Sequence, residues 1–204
     1  MTEEEARRWI VERFGAAGEA LMGKLATLVS DEAARQNLVA PSTLATMWSR
    51  HIVDSAQLID FAADTPGDWL DIGTGAGFPG LALAATQPQR RFILVEPRRL
   101  RADFLRDTAE ALALPQVEVV TGKVENVRQQ VAVISARAVA QVAQIIASAT
   151  QCASNETLWL LPKGRSAREE VARAKQRWHG MFHVEQSITD PESSIVIARG
   201  VRAR

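Results

Sequence analysis

Apolar positions Ile10, Phe14, Ala17, Leu21, Leu25 and Leu28 recur every three or four residues, the spacing of one helix face. Gly15 and Gly18 divide this run into a short leading helix and a longer one ending near Gln36. Thr43, Met47, Arg50, Asp54 and Leu58 predict a further helix opened by Pro41 and Ser42. So small a helical piece buries little surface alone. It is expected to pack against the remainder of the chain and to cover a site there.

Beyond Asp64-Thr65-Pro66-Gly67-Asp68 the pattern changes to short apolar runs alternating with helical ones. Strands are expected at Trp69–Gly73, Arg91–Glu96, Val117–Thr121, Val131–Ser135 and Leu158–Leu161. Helices are expected at Pro79–Gln87, Pro97–Leu114, Glu125–Gln130, Val139–Thr150 and Ser166–Trp178. In the second of these, Leu100, Phe104, Thr108, Ala111 and Leu112 form the expected buried face. Met181–Ile188 and Ser194–Val201 read as a closing antiparallel hairpin. Such alternation implies an α/β fold with a mostly parallel sheet covered on both faces. The expected organisation is a helical piece over 1–64 and an α/β domain over 65–204.

With 24 basic and 24 acidic residues, no global charge draws the chain to nucleic acid or membrane. The balance hides an asymmetry: residues 1–64 hold six Lys/Arg against ten Asp/Glu, and the remainder is basic. One cysteine, Cys152, excludes a disulfide framework. His179 and His183 stand four apart but precede a strand and have no further ligand at zinc spacing, so no metal site is expected. No apolar run reaches the roughly 20 residues that span a bilayer, and the start of the chain lacks the order of a secretion signal. A soluble cytoplasmic chain, monomeric by default, is the expectation.

The candidate chemistry lies in Asp71-Ile72-Gly73-Thr74-Gly75-Ala76-Gly77-Phe78-Pro79-Gly80, between the first strand and its helix. Glycines there allow a tight turn and close approach to a ligand at a helix N-terminus. Gly75-x-Gly77-x-x-Gly80 matches the dinucleotide fingerprint, with Glu96 about 20 residues on. Asp-x-Gly-x-Gly-x-Gly also resembles motif I of class I S-adenosyl-L-methionine-dependent methyltransferases. Asp71 favours the second reading, because a carboxylate repels pyrophosphate and suits a ligand carrying ammonium and sulfonium groups. The closing antiparallel strands agree. The expected donor site is Asp71, Gly73, Thr74, Gly75 and Gly77, with Glu96 taking the ribose hydroxyls.

Further motifs stand in order along the chain: Asn37-Leu38-Val39, Arg50-His51-Ile52-Val53-Asp54-Ser55, the loop with its Phe78-Pro79-Gly80 ending, Val124-Glu125, Ser135-Ala136-Arg137-Ala138 and Lys163-Gly164. Together they resemble the glucose-inhibited division protein B family, bacterial 16S rRNA guanine-N7 methyltransferases, over about residues 20 to 200. Departures are Glu32-Ala33 where the family has Trp-Asn, Ala76 where many members have Pro, and Glu96 where they have Asp.

The resemblance implies a Rossmann-like class I methyltransferase, with a seven-stranded sheet whose last strand is antiparallel and a helical N-terminal extension. It implies S-adenosyl-L-methionine as cofactor and a guanosine of the 530 loop of 16S rRNA as substrate, within the 30S subunit or its precursor. By matching position, the donor pocket includes Gly73, Phe78, Val124, Glu125 and Arg137. Asn37, Arg50, His51, Arg137 and Lys163 fall around the active-site cleft. Arg137, at the end of the fourth strand, serves the donor carboxylate or the base.

Guanine N7 carries a lone pair and no proton, so its methylation needs alignment rather than a general base. The chain accordingly shows no Ser-His-Asp set and no His-Glu-x-x-His. The arginines at 98, 99, 101, 106, 165, 168, 173 and 177 predict a modest basic patch among acidic neighbours. The alternatives are a class I methyltransferase with a small-molecule or protein acceptor, and a non-catalytic ribosome-assembly factor.

Overall fold

The computed structural model describes residues 1–204. A seven-stranded sheet in the order β3-β2-β1-β4-β5-β7-β6 forms its centre. The strands are β1 (Trp69–Ile72), β2 (Phe92–Glu96), β3 (Val117–Thr121), β4 (Val133–Ala136), β5 (Leu158–Lys163), β6 (Trp178–Gln186) and β7 (Ser194–Ala203). The first five pair in parallel, while β7 runs antiparallel to both β5 and β6. Four-residue β1 is buried at every position, as a strand covered on both faces must be. No helix is long and apolar enough to cross a membrane.

Helix α1 covers Glu3–Ala33. Thr2 and Glu5 close a capping box at its start. A kink falls at Gly15, whose φ is +69°; Gly18 stays helical, and the helix ends three residues before Gln36. The expected helix after Pro41 is instead a 3₁₀ turn (Pro41–Thr46), a wide π turn (Trp48–Val53), and two short helices, α2 (Asp54–Ala56) and α3 (Leu58–Phe61). The Glu3 carboxylate caps the π turn, accepting from the Trp48 and Ser49 amides, each at 2.9 Å. The turn buries Trp48, Ile52 and Val53 while Arg50 stays exposed. One apolar core joins Ile10, Met22, Leu25 and Trp48 to Leu81, Phe92 and Leu158, so the helical piece and the sheet bury surface against each other.

On the sheet lie α4 (Gly80–Thr86), α5 (Arg99–Ala111), α6 (Val142–Ala149) and α7 (Ala167–Ala174). Three elements depart from the expected pattern. Residues 125–130 form only a 3₁₀ turn, Val124–Asn126, because Val127 and Val131 are drawn in extended form into the core. Helix α5 buries Ala102, Phe104, Leu105, Thr108 and Ala109, leaving Leu100 73% exposed and Ala111 at the surface. Helix α7 stops at Ala174, and Trp178 opens β6, half-buried, rather than closing a helix face.

Candidate active site

A cleft of about 660 Å³ opens at the carboxyl ends of β1, β4 and β5, within the range of small-molecule sites. Its walls are Leu38–Ala40 and the π turn on one side and the loop after β1 on the other; Arg137, Lys163 and the β6–β7 turn line the rest. The helical piece therefore closes one side of the cleft.

The loop is built on a buried polar chain. Trp69 Nε1 donates to Ser135 Oγ at 2.9 Å, Ser135 donates to Asp71 Oδ1 at 2.6 Å, and the Gly80 amide donates to Asp71 Oδ2 at 3.1 Å. Asp71 is fully buried. Both of its oxygens accept hydrogen bonds from the protein, so Asp71 clamps the loop from beneath. At Gly80 an added Cβ would overlap Leu94 Cδ2 and stand 2.9 Å from Asp71 Oδ2, so only glycine fits. Gly73 turns with φ +66°, a conformation costly for other residues. The Phe78–Pro79 peptide is cis.

Glu96 also holds the loop. Its carboxylate accepts from the Gly75 amide at 3.0 Å and the Arg98 amide at 2.9 Å, and it is almost fully buried. Gly73, Thr74, Gly75 and Phe78 line the cleft; Gly77 is not part of its lining. Val124 is buried and Glu125 exposed after β3, both outside the cleft lining. The Asn37 side chain is exposed, and its backbone carbonyl accepts from Arg101 at 2.6 Å.

Opposite the loop, Arg137 leaves the end of β4 with its guanidinium fixed on three sides. Nη1 donates to the Arg50 carbonyl at 3.0 Å and to Asp54 Oδ2 at 3.3 Å, and Nη2 meets His51 Nδ1 at 2.9 Å. His51 and Arg137 both pack on the Phe78 ring, His51 stacked at 5.2 Å. Arginine is always the donor, so His51 Nδ1 accepts and Nε2 carries the proton, given to Thr43 Oγ1 at 2.8 Å. Burial first, then the charges of Arg137 and Arg50, push the His51 pKa down to about 3. A second proton would set N–H against N–H. The Nε–H and one Nη2–H of Arg137 have no protein partner and are available to a ligand.

Lys163, almost buried at the end of β5, is paired with Glu170 at 3.0 Å. Burial alone would raise Glu170, but hydrogen bonds from Lys163, the Val142 amide and Ser166 hold it below the usual carboxylate range. Lys163 is thereby committed to the base of the cleft. Sequence reasoning missed Asp54, Thr43 and Glu170. The signal for Asp54 was present: it stands four residues after Arg50 on one helical face.

These environments set two titrations. His51 is expected to keep its Nε2–H tautomer from pH 8 to pH 5 in nitrogen-detected NMR; a midpoint near 6.5 would contradict the chain of donors. Below about 6.5 the unfolded chain takes up a proton that folded His51 refuses, so its contribution to stability falls with pH. Burial moves Asp71 the other way, up to about 6 against its hydrogen bonds from Ser135, Thr74 and Gly80. Between about pH 6 and 4 the folded chain holds the extra proton there, so this contribution rises as pH falls. A carboxyl midpoint near 4 for Asp71 would contradict its burial.

Residues 19–197 match the family described as GidB, rRNA small subunit methyltransferase G. Proteins named ribosomal RNA small subunit methyltransferase G are similar along nearly the whole chain. That of Novosphingobium aromaticivorans is 47% identical over 98% of this chain and 89% of its own. That of Erythrobacter litoralis is 43% identical over 98% and 97%. Solved structures share the fold at low identity. One is a SAM-dependent methyltransferase from Aquifex aeolicus (TM-score 0.62, 15% identity, 83% of this chain and 98% of that one). Another is an O-methyltransferase from Bacillus cereus in complex with SAH (TM-score 0.60, 17% identity, 87% and 90%). With the glycine loop, the arginine at the end of β4 and the helical wall all in place, the chain belongs to the GidB family of rRNA small subunit methyltransferases.

Proposed function

We propose that this protein methylates N7 of a guanosine in the 530 loop of 16S rRNA, within the 30S subunit or its precursor, as a cytoplasmic monomer. The observation that carries this reading is Arg137, held at the carboxyl end of β4 by Arg50, Asp54 and His51 with N–H donors left over, in the lining of the same cleft of about 660 Å³ as the glycine loop. The residues present suit S-adenosyl-L-methionine: open glycine backbone at 73–75, acidic Glu96 at the end of β2, the Phe78 ring and the Arg137 cation. When bound, that cofactor supplies an electrophilic methyl group.

The protein's own work is then positional. The carbonyls of Gly73 and Gly75 face the donor beside β1, since the Gly73 and Thr74 amides are bonded to the Val95 carbonyl; Glu96, released from the Gly75 amide, takes ribose hydroxyls. Arg137 offers N–H donors to the donor carboxylate or to guanine O6, an edge that Arg groups fit. Neutral His51 supports this as an acceptor, and neither it nor Lys163 removes a proton, because N7 has none. Arg50 lines the cleft with Asn37 next to its Leu38 wall; Val124 and Glu125, after β3, are assigned to the donor side, and residues 1–64 act as the extension that walls the acceptor side.

The test is incorporation of labelled methyl from S-adenosyl-L-methionine into ribosomal subunits from cells lacking the protein. Label is expected in 16S rRNA. Label only in protein or small molecules would move the assignment to the alternative acceptors, and absence of donor binding would leave an assembly factor.

A further inference from the structure

Two exposed arginines, Arg50 in the lining of the cleft and Arg165 directly after its Gly164, come from different elements, yet each is held by a carboxylate of the same turn. Arg50 of the π turn pairs with Asp190, and Arg165, between β5 and α7, pairs with Glu192. Both acids belong to the β6–β7 turn, whose Thr189, Ser193 and Ser194 line the cleft. The turn is fixed in place. Ser187 and Thr189 are buried and bonded to Asp54 and Gln57, and the Gln186 side chain bridges the carbonyls of Asp190 and Ser193. The Glu192 amide donates to Asp190 Oδ1 at 2.8 Å, which fixes the Asp190 side chain within the turn.

The side chains of Arg50 and Arg165 are 46% and 77% exposed. Ion pairs so open to water are worth little, about 0–1 kcal/mol each, and exchange readily. A guanidinium binds a phosphate with the same fork that it offers a carboxylate. Arg99 and Arg106, by contrast, pair with Asp103 on their own helix.

Resting on the rRNA reading above, we infer that Arg50 and Arg165 form a two-phosphate docking site for the RNA backbone beside the target nucleotide, with Asp190 and Glu192 as resident counter-charges that the RNA displaces. The mouth is close to neutral until RNA arrives. A polyanion that reaches only one arginine gains little over the carboxylate it replaces, whereas one presenting two phosphates in register replaces both. This reconciles a chain of zero formal net charge with a highly charged substrate: attraction is confined to one place and gated by fit.

The test is methyl transfer to ribosomal subunits over a range of KCl, with Arg165→Gln, the double variant Asp190→Asn/Glu192→Gln, and Arg173→Gln as an equal charge change on α7. Arg165→Gln is expected to raise KM for the subunit several-fold and to flatten the slope of log kcat/KM against log salt by about 0.7–0.9, one phosphate contact. The double variant is expected to lower KM and to increase retention of unrelated RNA. Arg173→Gln is expected to change neither slope nor KM. Arg165→Gln behaving like Arg173→Gln overturns the docking site, and an unchanged KM in the double variant overturns the counter-charge role. Absence of transfer by the unmodified protein overturns the rRNA reading itself, which separates the two failures.

Discussion

Arg137→Ala is expected to lower kcat/KM for methyl transfer by at least about a hundredfold, the penalty for losing alignment of reacting groups, while the protein still folds. The guanidinium ties the end of β4 to the π turn and the Phe78 ring and lines the cleft. Its loss costs hydrogen bonds to a carboxylate and a carbonyl, about 1–3 kcal/mol. Asp54 keeps Thr189, Gln57 and Ser187 as donors, so no bare buried charge remains. Arg137→Lys should restore little, because an ammonium cannot serve His51, Asp54 and a ligand as a planar fork does. In Arg137→Ala the His51 pKa should climb, since the Arg137 charge is among the causes holding it down. Near-normal turnover in Arg137→Ala would remove the residue from the site.

Gly80→Ala, a single added methyl, is expected to destabilise the protein by about 1–3 kcal/mol, as overpacking a closed core does, and to weaken donor binding roughly tenfold, about 1.4 kcal/mol. The new Cβ would overlap Leu94 Cδ2 and lie 2.9 Å from Asp71 Oδ2, both residues being completely buried. Relief requires Asp71 to leave the Gly80 amide, and the loop over it then loses its floor. Gly164→Ala is the contrast: nothing stands within 4 Å of its added Cβ, so its stability should be unchanged. Denaturation midpoints and donor calorimetry on the two variants check this. Equal stability would mean that the clamp under the loop is not rigid.

The alternating region was legible because its signals are local. The strands of the sheet are short apolar runs, and the glycine loop falls where a strand must turn into a helix. What failed to show in the pattern was decided by tertiary packing. Val127 and Val131 lie at a spacing that fits a helix turn, yet the core takes them extended. Leu100 reads as a buried helix residue, yet it stands in the first turn of α5 and is exposed. The stretch after Pro41 carries helical spacing, but its widened π turn is held by Glu3, 45 residues away, which no window along the chain detects.

The site divides in the same way. Residues singled out by motif, Gly73, Phe78, His51 and Arg137, gather at one cleft. Their chemistry was less legible than their position. The motif shows Asp71 beside the turn, but its bond from Ser135, 64 residues away, which buries it as a clamp under the loop, has no signal along the chain. His51 could be placed beside the cleft by its motif, but its role as a fixed acceptor is set by the direction of the bond from Arg137.

The most direct measurement is nucleoside mapping of 16S rRNA from subunits methylated by this protein, with the Arg137→Ala variant beside it. One 7-methylguanosine per 16S rRNA, in the 530 loop and lost in the variant, is the predicted result. Methyl at another atom or another nucleotide, or the same modification made by the variant, would contradict a cleft that works by holding guanine N7 in line with its donor.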